Sequence, residues 1–219
     1  MLIATTLVAA ALLAASSLEE VPAAARQMPP LVVAVTADTD LPPKVVARIL
    51  AEASEIWRPA GVTLEWHRGG RLPRSLHVTI GHSAGRQTDD ALPLAWIVFD
   101  DDTAPEREIY VSYGNVLTLM EHSRGVVGHL ESMPRGEFEM LLSRAMGRAL
   151  AHEIGHYLLA SKAHTASGLM QTRRTAAELF ASQRVRFEID AVQRRQIAAR
   201  VEQLMLAQRA ASGTVSEGL

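Results

Sequence analysis

Hydrophobic and polar positions follow strand-like patterns over the first half of the chain. Two continuously apolar runs, 31–37 and 94–99, predict buried strands. Three other segments alternate apolar and polar residues in the manner of half-exposed strands: 62–66, 76–80 and 109–113. We therefore expect the first half of the chain to supply a mixed, twisted sheet.

The second half of the chain is predicted to be helical. Apolar residues recur at helical spacing over 43–57 within the sheet half, and again over 137–160 and 187–209. The stretch 161–175 lacks this periodicity and is predicted to be a loop. One early helix among the strands, followed by a helical half, indicates an α+β fold with one domain.

The N-terminus is expected to be separate from this domain. Residues 2–15 are apolar and uncharged, too short for a membrane span but typical of the core of a signal peptide. We assign 1–25 to a signal peptide or an uncleaved N-terminal anchor, 31–210 to the domain and 211–219 to a flexible tail. The protein is therefore expected to be exported, either to a periplasm or to the medium.

Composition narrows the range of possible functions. Apolar residues make up 48% and charged residues 21%, with a net charge of −2, so no overall nucleic-acid-binding character is present. Cysteine is absent, which excludes disulfides and thiolate metal sites. Acidic residues are interspersed among six clustered arginines, which we interpret as a solvated helix face: Arg173, Arg174, Arg184, Arg186, Arg194 and Arg195.

Residues 152–156 read His-Glu-Ile-Gly-His, the H-E-x-x-H pattern, and lie inside a predicted helix. His152 and His156 are one turn apart, so both rings can face one metal ion. Glu153 lies about 100° around the same turn, where it can reach a water beside that metal. The apolar flanks predict a buried helix, in which two histidines need partners, and one metal ion would satisfy both.

The third metal ligand has two candidates. His164 follows the motif across a predicted loop long enough to turn back toward the metal. Glu178, on a predicted short helix, is the alternative. Two histidines and one further ligand match the open coordination of catalytic zinc rather than the closed, four-ligand structural type.

The segment HEIGHYLLASKAHTASGLM resembles the zincin metallopeptidases and, among them, the metzincins. The resemblance is specific over 145–171. It implies a zincin-like fold in which His152, His156 and His164 bind Zn²⁺, Glu153 is the catalytic base and Met170 is the methionine of a turn beneath the metal.

The segment departs from the metzincin spacing H-E-x-x-H-x-x-G-x-x-H in two ways. Leu159 stands in the glycine position, and His164 comes two residues late. In addition, only five residues separate His164 from Met170 in the sequence. Plain core packing is therefore an equally good interpretation of Met170.

These features predict a zinc-dependent endopeptidase in which Glu153 deprotonates a metal-activated water. Its partner would be a peptide or protein substrate, bound as an added strand along a sheet edge, for which we select 109–113. Tyr110 or Tyr113 could assist the oxyanion, although core or rim packing is the more ordinary role. The alternatives are a zincin with Glu178 as third ligand and a non-catalytic, zinc-stabilised peptide-binding domain.

The other acidic and histidine residues that could bind a metal are interpreted as residues without a metal-binding role. Asp100, Asp101 and Asp102 are interpreted as a solvated turn, with calcium binding as the alternative. Five histidines lack ligand spacing and are interpreted as surface or hydrogen-bonded core residues: His67, His77, His82, His122 and His129.

Overall fold

A computed structural model describes residues 28–73, 75–82, 92–100 and 104–213. Within them five strands form one sheet. The strands are β1 (Leu31–Ala37), β2 (Leu64–Arg68), β3 (Leu76–Gly81), β4 (Ala95–Asp100) and β5 (Ala104–Ser112).

Six α-helices accompany the sheet in the described residues, together with short 3₁₀ turns at Arg58–Ala60 and Leu130–Ser132. The helices are α1 (Pro43–Trp57), α2 (Tyr113–His122), α3 (Arg124–Val127), α4 (Arg135–Leu159), α5 (Ala176–Phe180) and α6 (Ala191–Gly213).

The sheet is mixed and has the strand order β2-β1-β3-β5-β4. All neighbouring pairs are parallel except β4, which runs antiparallel to β5 and forms one edge of the sheet. The central strands are buried, with Val33 and Ala34 of β1 fully inaccessible, as expected where a parallel sheet is covered. The α+β prediction is confirmed at the level of a mixed five-stranded sheet with several helices.

One strand prediction is wrong in a way that matters for function. The segment 109–113 was expected to be a sheet edge, but β5 pairs with β3 on one side and β4 on the other. Alternation identifies the two faces of a strand and carries no information about its neighbours. Tyr113 belongs to α2, because the Ser112 side chain accepts a hydrogen bond from the Asn115 N–H at 3.2 Å and caps that helix.

Helices α1 and α4 pack side by side, and α4 also contacts β4 and β5. The indole N–H of Trp57, at the end of α1, donates to the carbonyl of Ala151 in α4 at 3.1 Å. Trp57 is fully buried. This contact fixes the part of α4 that immediately precedes the first motif histidine.

A buried ion-pair network joins these helices to the chain that follows α5. Glu52 of α1 accepts hydrogen bonds from Arg148 Nε at 3.0 Å and from Arg184 Nη2 at 2.7 Å. Arg148 also donates to the carbonyls of Glu178, Leu179 and Gln183. A buried guanidinium needs this many partners, since leaving it unpaired would be costly.

The N-terminal segment 1–25 and residues 214–219 lie outside the described residues, so the predicted signal peptide and the end of the predicted tail are not described. No helix in the described part of the chain has the length and apolar character needed to cross a membrane.

The close approach of α1 to α4 makes Gly147 a sensitive position. A Cβ atom there would lie 2.6 Å from Cβ of Glu52 and 2.7 Å from the carbonyl oxygen of Ile49. Gly147→Ala is therefore expected to lower the free energy of unfolding by about 1–3 kcal/mol, as overpacking does elsewhere. Urea unfolding followed by circular dichroism measures the change.

Gly136→Ala, on the first turn of the same helix, is the matched control. A Cβ there has no neighbour within 4 Å among the described atoms. This substitution should be neutral or stabilise the fold by up to about 1 kcal/mol. Equal destabilisation by both substitutions would contradict the packing described.

Candidate metal centre

The long helix α4 brings the two motif histidines together, as their spacing predicts. The Nε2 atoms of His152 and His156 lie 3.0 Å apart, and the ring planes are inclined at 82°. Both residues are largely shielded from solvent, with His156 only 6% exposed. The pair faces a cavity rather than bulk water.

Each ring is held by its other nitrogen. Nδ1 of His152 lies 2.9 Å from the carbonyl oxygen of Leu169, and Nδ1 of His156 lies 2.7 Å from that of Ser161. A carbonyl oxygen only accepts, so both Nδ1 atoms carry the proton. In the neutral rings Nε2 is therefore unprotonated in both residues, which is the tautomer that binds a metal.

This arrangement points two nitrogen lone pairs at one another across 3.0 Å. Two acceptors at that distance repel unless a cation lies between them. Nitrogen atoms at 2.0–2.1 Å from a tetrahedral zinc ion are about 3.3 Å apart, close to the separation found here. The two residues therefore fit a shared metal ion better than they fit each other.

His164 joins this pair from the loop that follows α4. The helix ends as Ala160 takes a left-handed conformation (φ 47°), and the Ser161 N–H bonds back to the carbonyl of His156 at 3.3 Å. The His164 ring then stacks on His152 with centroids 5.3 Å apart. Its ligand nitrogen lies within 4.8 Å of those of the other two histidines.

Glu178, the alternative third ligand, lies elsewhere in the described structure. Its carboxylate accepts hydrogen bonds from the backbone and hydroxyl of Thr175, forming the capping box of α5. It also pairs with Arg186 at 3.1 Å. Among the described residues, the group that includes His152 and His156 is completed by His164 and does not contain Glu178.

Glu153 lies beside the cluster, against the edge strand. Its Oε2 accepts a hydrogen bond from the backbone N–H of Ile97 in β4 at 3.1 Å. Burial raises the pKa of Glu153 to about 8, although the hydrogen bond from Ile97 acts in the opposite direction. A carboxyl group with a pKa near neutrality is suited to exchanging protons at physiological pH.

Burial also keeps the histidines neutral. It lowers the pKa of His152 to about 4, while the hydrogen bond to Leu169 acts against this shift. The pKa values of His156 and His164 are lowered for the same principal reason. Neutral imidazoles are the form that binds a metal, so the site is prepared for one at neutral pH.

Met170 lies beneath the helix that carries the cluster and is 1% exposed. A Cβ on Gly155 would collide with the Met170 sulfur, so the absence of a side chain at Gly155 permits this close approach. The segment is a tight turn, in which the Gln171 N–H bonds to the carbonyl of Gly168 at 3.2 Å. Met170 is thus both a core residue and part of a turn under the histidines.

The cluster opens into a cavity of about 710 Å³. One wall is the edge strand β4 with the preceding residues 92–94, and the floor is α4 from Arg148 to His156. The opposite wall is formed by Leu169, Gln171, Thr172, Arg174, Leu179 and Phe187.

Tyr110 and Tyr113, considered above as groups that could assist the oxyanion, lie away from this site. Tyr110 donates its hydroxyl hydrogen to Glu108 at 2.7 Å and stacks on Trp96, while Tyr113 contacts the His82 ring with the two planes inclined at 38°. Neither is among the described residues that line the cavity. Their positions agree with the rim and packing roles considered as the alternative.

The arginine cluster was wrongly interpreted as one solvated helix face. Arg184 binds buried Glu52, Arg174 stacks on Phe187 at 4.5 Å, and only Arg194 and Arg195 lie on α6. Sequence spacing could not reveal this, because the partners are distant in the chain.

Among the other histidines, His77 is buried beside the hydroxyl of Thr36 at 3.2 Å. His82 was expected to lack ligand neighbours, yet it lies 3.5 Å from the carboxylates of Asp38 and Asp40. The pairing of parallel β1 with β3, which brings these strand ends together, was the missing information.

The remaining three histidines, His67, His122 and His129, are exposed, as predicted, and His67 lies 2.8 Å from the carboxylate of Glu65. Asp100 is exposed at the end of β4. Asp101 and Asp102 lie outside the described residues.

No protein-family model matches this chain, and no curated protein shows significant similarity to it.

The geometry predicts which residue completes the metal site. His164→Ala should weaken zinc binding by more than about 100-fold, since the loss of outer-shell partners alone costs 10–100-fold. Glu178→Gln should leave the affinity unchanged, because Glu178 is engaged in the α5 cap. Competition with a chromophoric chelator measures both constants. Retention of zinc by His164→Ala together with its loss from Glu178→Gln would reverse the assignment.

The raised pKa of Glu153 predicts a pH-dependent stability in metal-free protein. The folded pKa of about 8 exceeds the ordinary value of 4.5, so the folded state is penalised increasingly as pH rises from 4.5 through 8. Glu153→Gln stays neutral and should match the wild-type melting temperature near pH 4.5, yet exceed it by roughly 10 °C or more at pH 9.

Glu137→Gln, which changes an exposed carboxylate on the first turn of α4, is the control for this measurement. It should shift the melting temperature little at either pH. A constant difference between Glu153→Gln and wild type across the pH range would show that burial of the Glu153 charge is not the cause.

Proposed function

We propose that this protein is a zinc-dependent endopeptidase in which His152, His156 and His164 hold the metal and Glu153 is the general base. The observation that carries the proposal is the convergence of the two Nε2 lone pairs at 3.0 Å, with both Nδ1 protons committed to carbonyls. A carboxyl group of raised pKa stands beside this point.

The donor set favours zinc in a catalytic arrangement. Imidazole nitrogen suits zinc among the common metals, and three protein ligands leave the fourth tetrahedral position open. A purely structural site would be closed by a fourth side chain. Glu153 would also have no use in a structural site, where burying its carboxyl group is only a cost.

Zinc, when bound, supplies Lewis acidity and lowers the pKa of water toward 7. The carboxylate of Glu153 takes the proton from the attacking water and then delivers it to the departing amine of the peptide. The Ile97 N–H holds Oε2 of Glu153, which orients the carboxylate for this transfer.

The substrate would be an extended peptide added along β4. This strand is the edge of the sheet next to the histidines, and it lines the cavity from Ala95 to Phe99. Apart from the Ile97 N–H, which holds Glu153, the side of β4 away from β5 offers backbone groups that an added strand can use. A register shift between Ile97 and Phe99 bends the strand beside the cluster.

We further propose that the chain is a divergent, metzincin-like zincin. Three features support this: a mixed sheet beside a histidine-bearing helix, a third histidine from the following loop, and Met170 packed under Gly155. Export through residues 1–25 is part of the same proposal and stays a prediction, since that segment lies outside the described residues.

Replacement of the base tests the catalytic proposal directly. Glu153→Gln should bind zinc normally but hydrolyse a denatured, fluorescently labelled protein about 10²–10⁴-fold more slowly, because only proton transfer is removed. Zinc content by atomic absorption and initial rates of cleavage are measured on the same samples. The Glu137→Gln variant, with an exposed carboxylate changed on the same helix, should retain wild-type rates.

Two outcomes would contradict this assignment. Undiminished cleavage by zinc-loaded Glu153→Gln would show that another group is the base. Wild-type protein that takes up no zinc would remove the basis for the activity.

A further inference from the structure

The cavity extends beyond the metal cluster toward the N-terminal end of α4. Arg148 and Ala149 lie one helical turn before His152 and Glu153, which places them about 6 Å along the helix axis. The cavity wall here is formed by Leu169, Thr172, Arg174, Leu179 and Phe187. A side chain next to a peptide bond held at the cluster would enter this part of the cavity, which we call the inner subsite.

The inner subsite contains two guanidinium groups stacked on one aromatic ring. Cζ of Arg148 lies 4.7 Å from the centroid of Phe187, and Cζ of Arg174 lies 4.5 Å from it. The two groups differ in their other partners. Arg148 is neutralised by Glu52 and donates to three carbonyls, so it is fully engaged in the fold.

Arg174 has no comparable partner in the described structure. Its Nη2 donates to the carbonyl of Gly168, while its Nη1 is buried without a hydrogen-bond partner among the described residues. No carboxylate of the described chain forms an ion pair with Arg174 within 4.0 Å. A buried donor nitrogen without an acceptor is costly, and an incoming anion would relieve that cost.

The carboxylate whose charge acts on Arg174 is already engaged elsewhere. Glu178 accepts hydrogen bonds from Thr175 and pairs with Arg186, both away from the cavity lining. Glu178 therefore leaves the guanidinium of Arg174 available to a ligand. Glu52, by contrast, occupies the guanidinium of Arg148. The positive charge of Arg174 is the unmatched feature of the inner subsite.

We propose that Arg174 is a specificity-determining residue that binds the carboxylate of an acidic substrate side chain beside the cleaved bond. This inference rests on the proposed endopeptidase function. The apolar walls formed by Leu169 and Leu179 can pack the two methylene groups of a glutamate, which favours Glu over Asp. The substrate class is thus an extended peptide with glutamate next to the scissile bond.

The test begins with zinc-loaded wild-type protein and a mixture of peptides blocked at both ends, whose cleaved bonds are mapped by mass spectrometry. The ratio of kcat/KM is then measured for matched peptides with Glu, Gln or Leu beside the cleaved bond. Wild type should favour Glu over Gln by about tenfold or more, the range of hydrogen bonds to charged groups.

Three variants assign this preference to the residue. Arg174→Gln should bring the Glu-to-Gln ratio close to one, and Arg174→Lys should retain part of the preference through its charge. Arg173→Gln, an exposed neighbour outside the cavity lining, should keep the wild-type ratio. A further peptide, with Gln at that position and a free α-carboxylate, separates recognition of a side chain from recognition of a chain terminus.

The outcomes that overturn the proposal are distinct. Equal cleavage of Glu, Gln and Leu peptides by wild type overturns it whatever the variants do, as does an unchanged ratio in folded Arg174→Gln. A preference confined to the free α-carboxylate overturns the side-chain assignment. If zinc-loaded wild type cleaves no peptide at all, the endopeptidase proposal itself is overturned. This outcome differs from a loss of specificity, because peptides with neutral residues beside the bond are then not cleaved either.

Discussion

Two hydrogen bonds to backbone carbonyls determine the geometry of the histidine cluster. By accepting the Nδ1 protons, the carbonyls of Leu169 and Ser161 fix both the orientation and the tautomer of His152 and His156. Both carbonyls belong to the segment that follows α4. The cluster therefore depends on the fold of that segment as much as on the helix that carries the motif.

That segment is positioned by burial and charge rather than by regular structure. Met170 packs against Gly155, and Arg148 binds three carbonyls around α5 while paired with Glu52. Trp57 holds the helix from the other side through Ala151. Close packing of this kind lets a loop present a ligand with the precision usually given by helices and strands.

The sequence predicted what depends on local spacing. The pair at 152 and 156 follows from helical periodicity, and the return of His164 follows from a short connection. The start of α6 was placed too early, because Phe187 has helical spacing yet packs in the core as loop, while Asp190 caps the helix by accepting from the Gln193 N–H. The edge strand and the partners of Arg174 and Arg184 depend on tertiary pairing, which periodicity does not encode.

All three imidazoles come from one continuous stretch, 152–164, whereas the Glu52–Arg184 pair joins distant parts of the chain. A denatured chain would thus retain a short-range chelate even after every long-range contact is lost. A ligand that binds both the folded and the unfolded chain stabilises the folded state only by the difference between its two affinities. A metal ion bound by this cluster would therefore stabilise the folded state by less than its affinity suggests, so the buried ion-pair network and the hydrophobic core would have to stabilise the fold themselves.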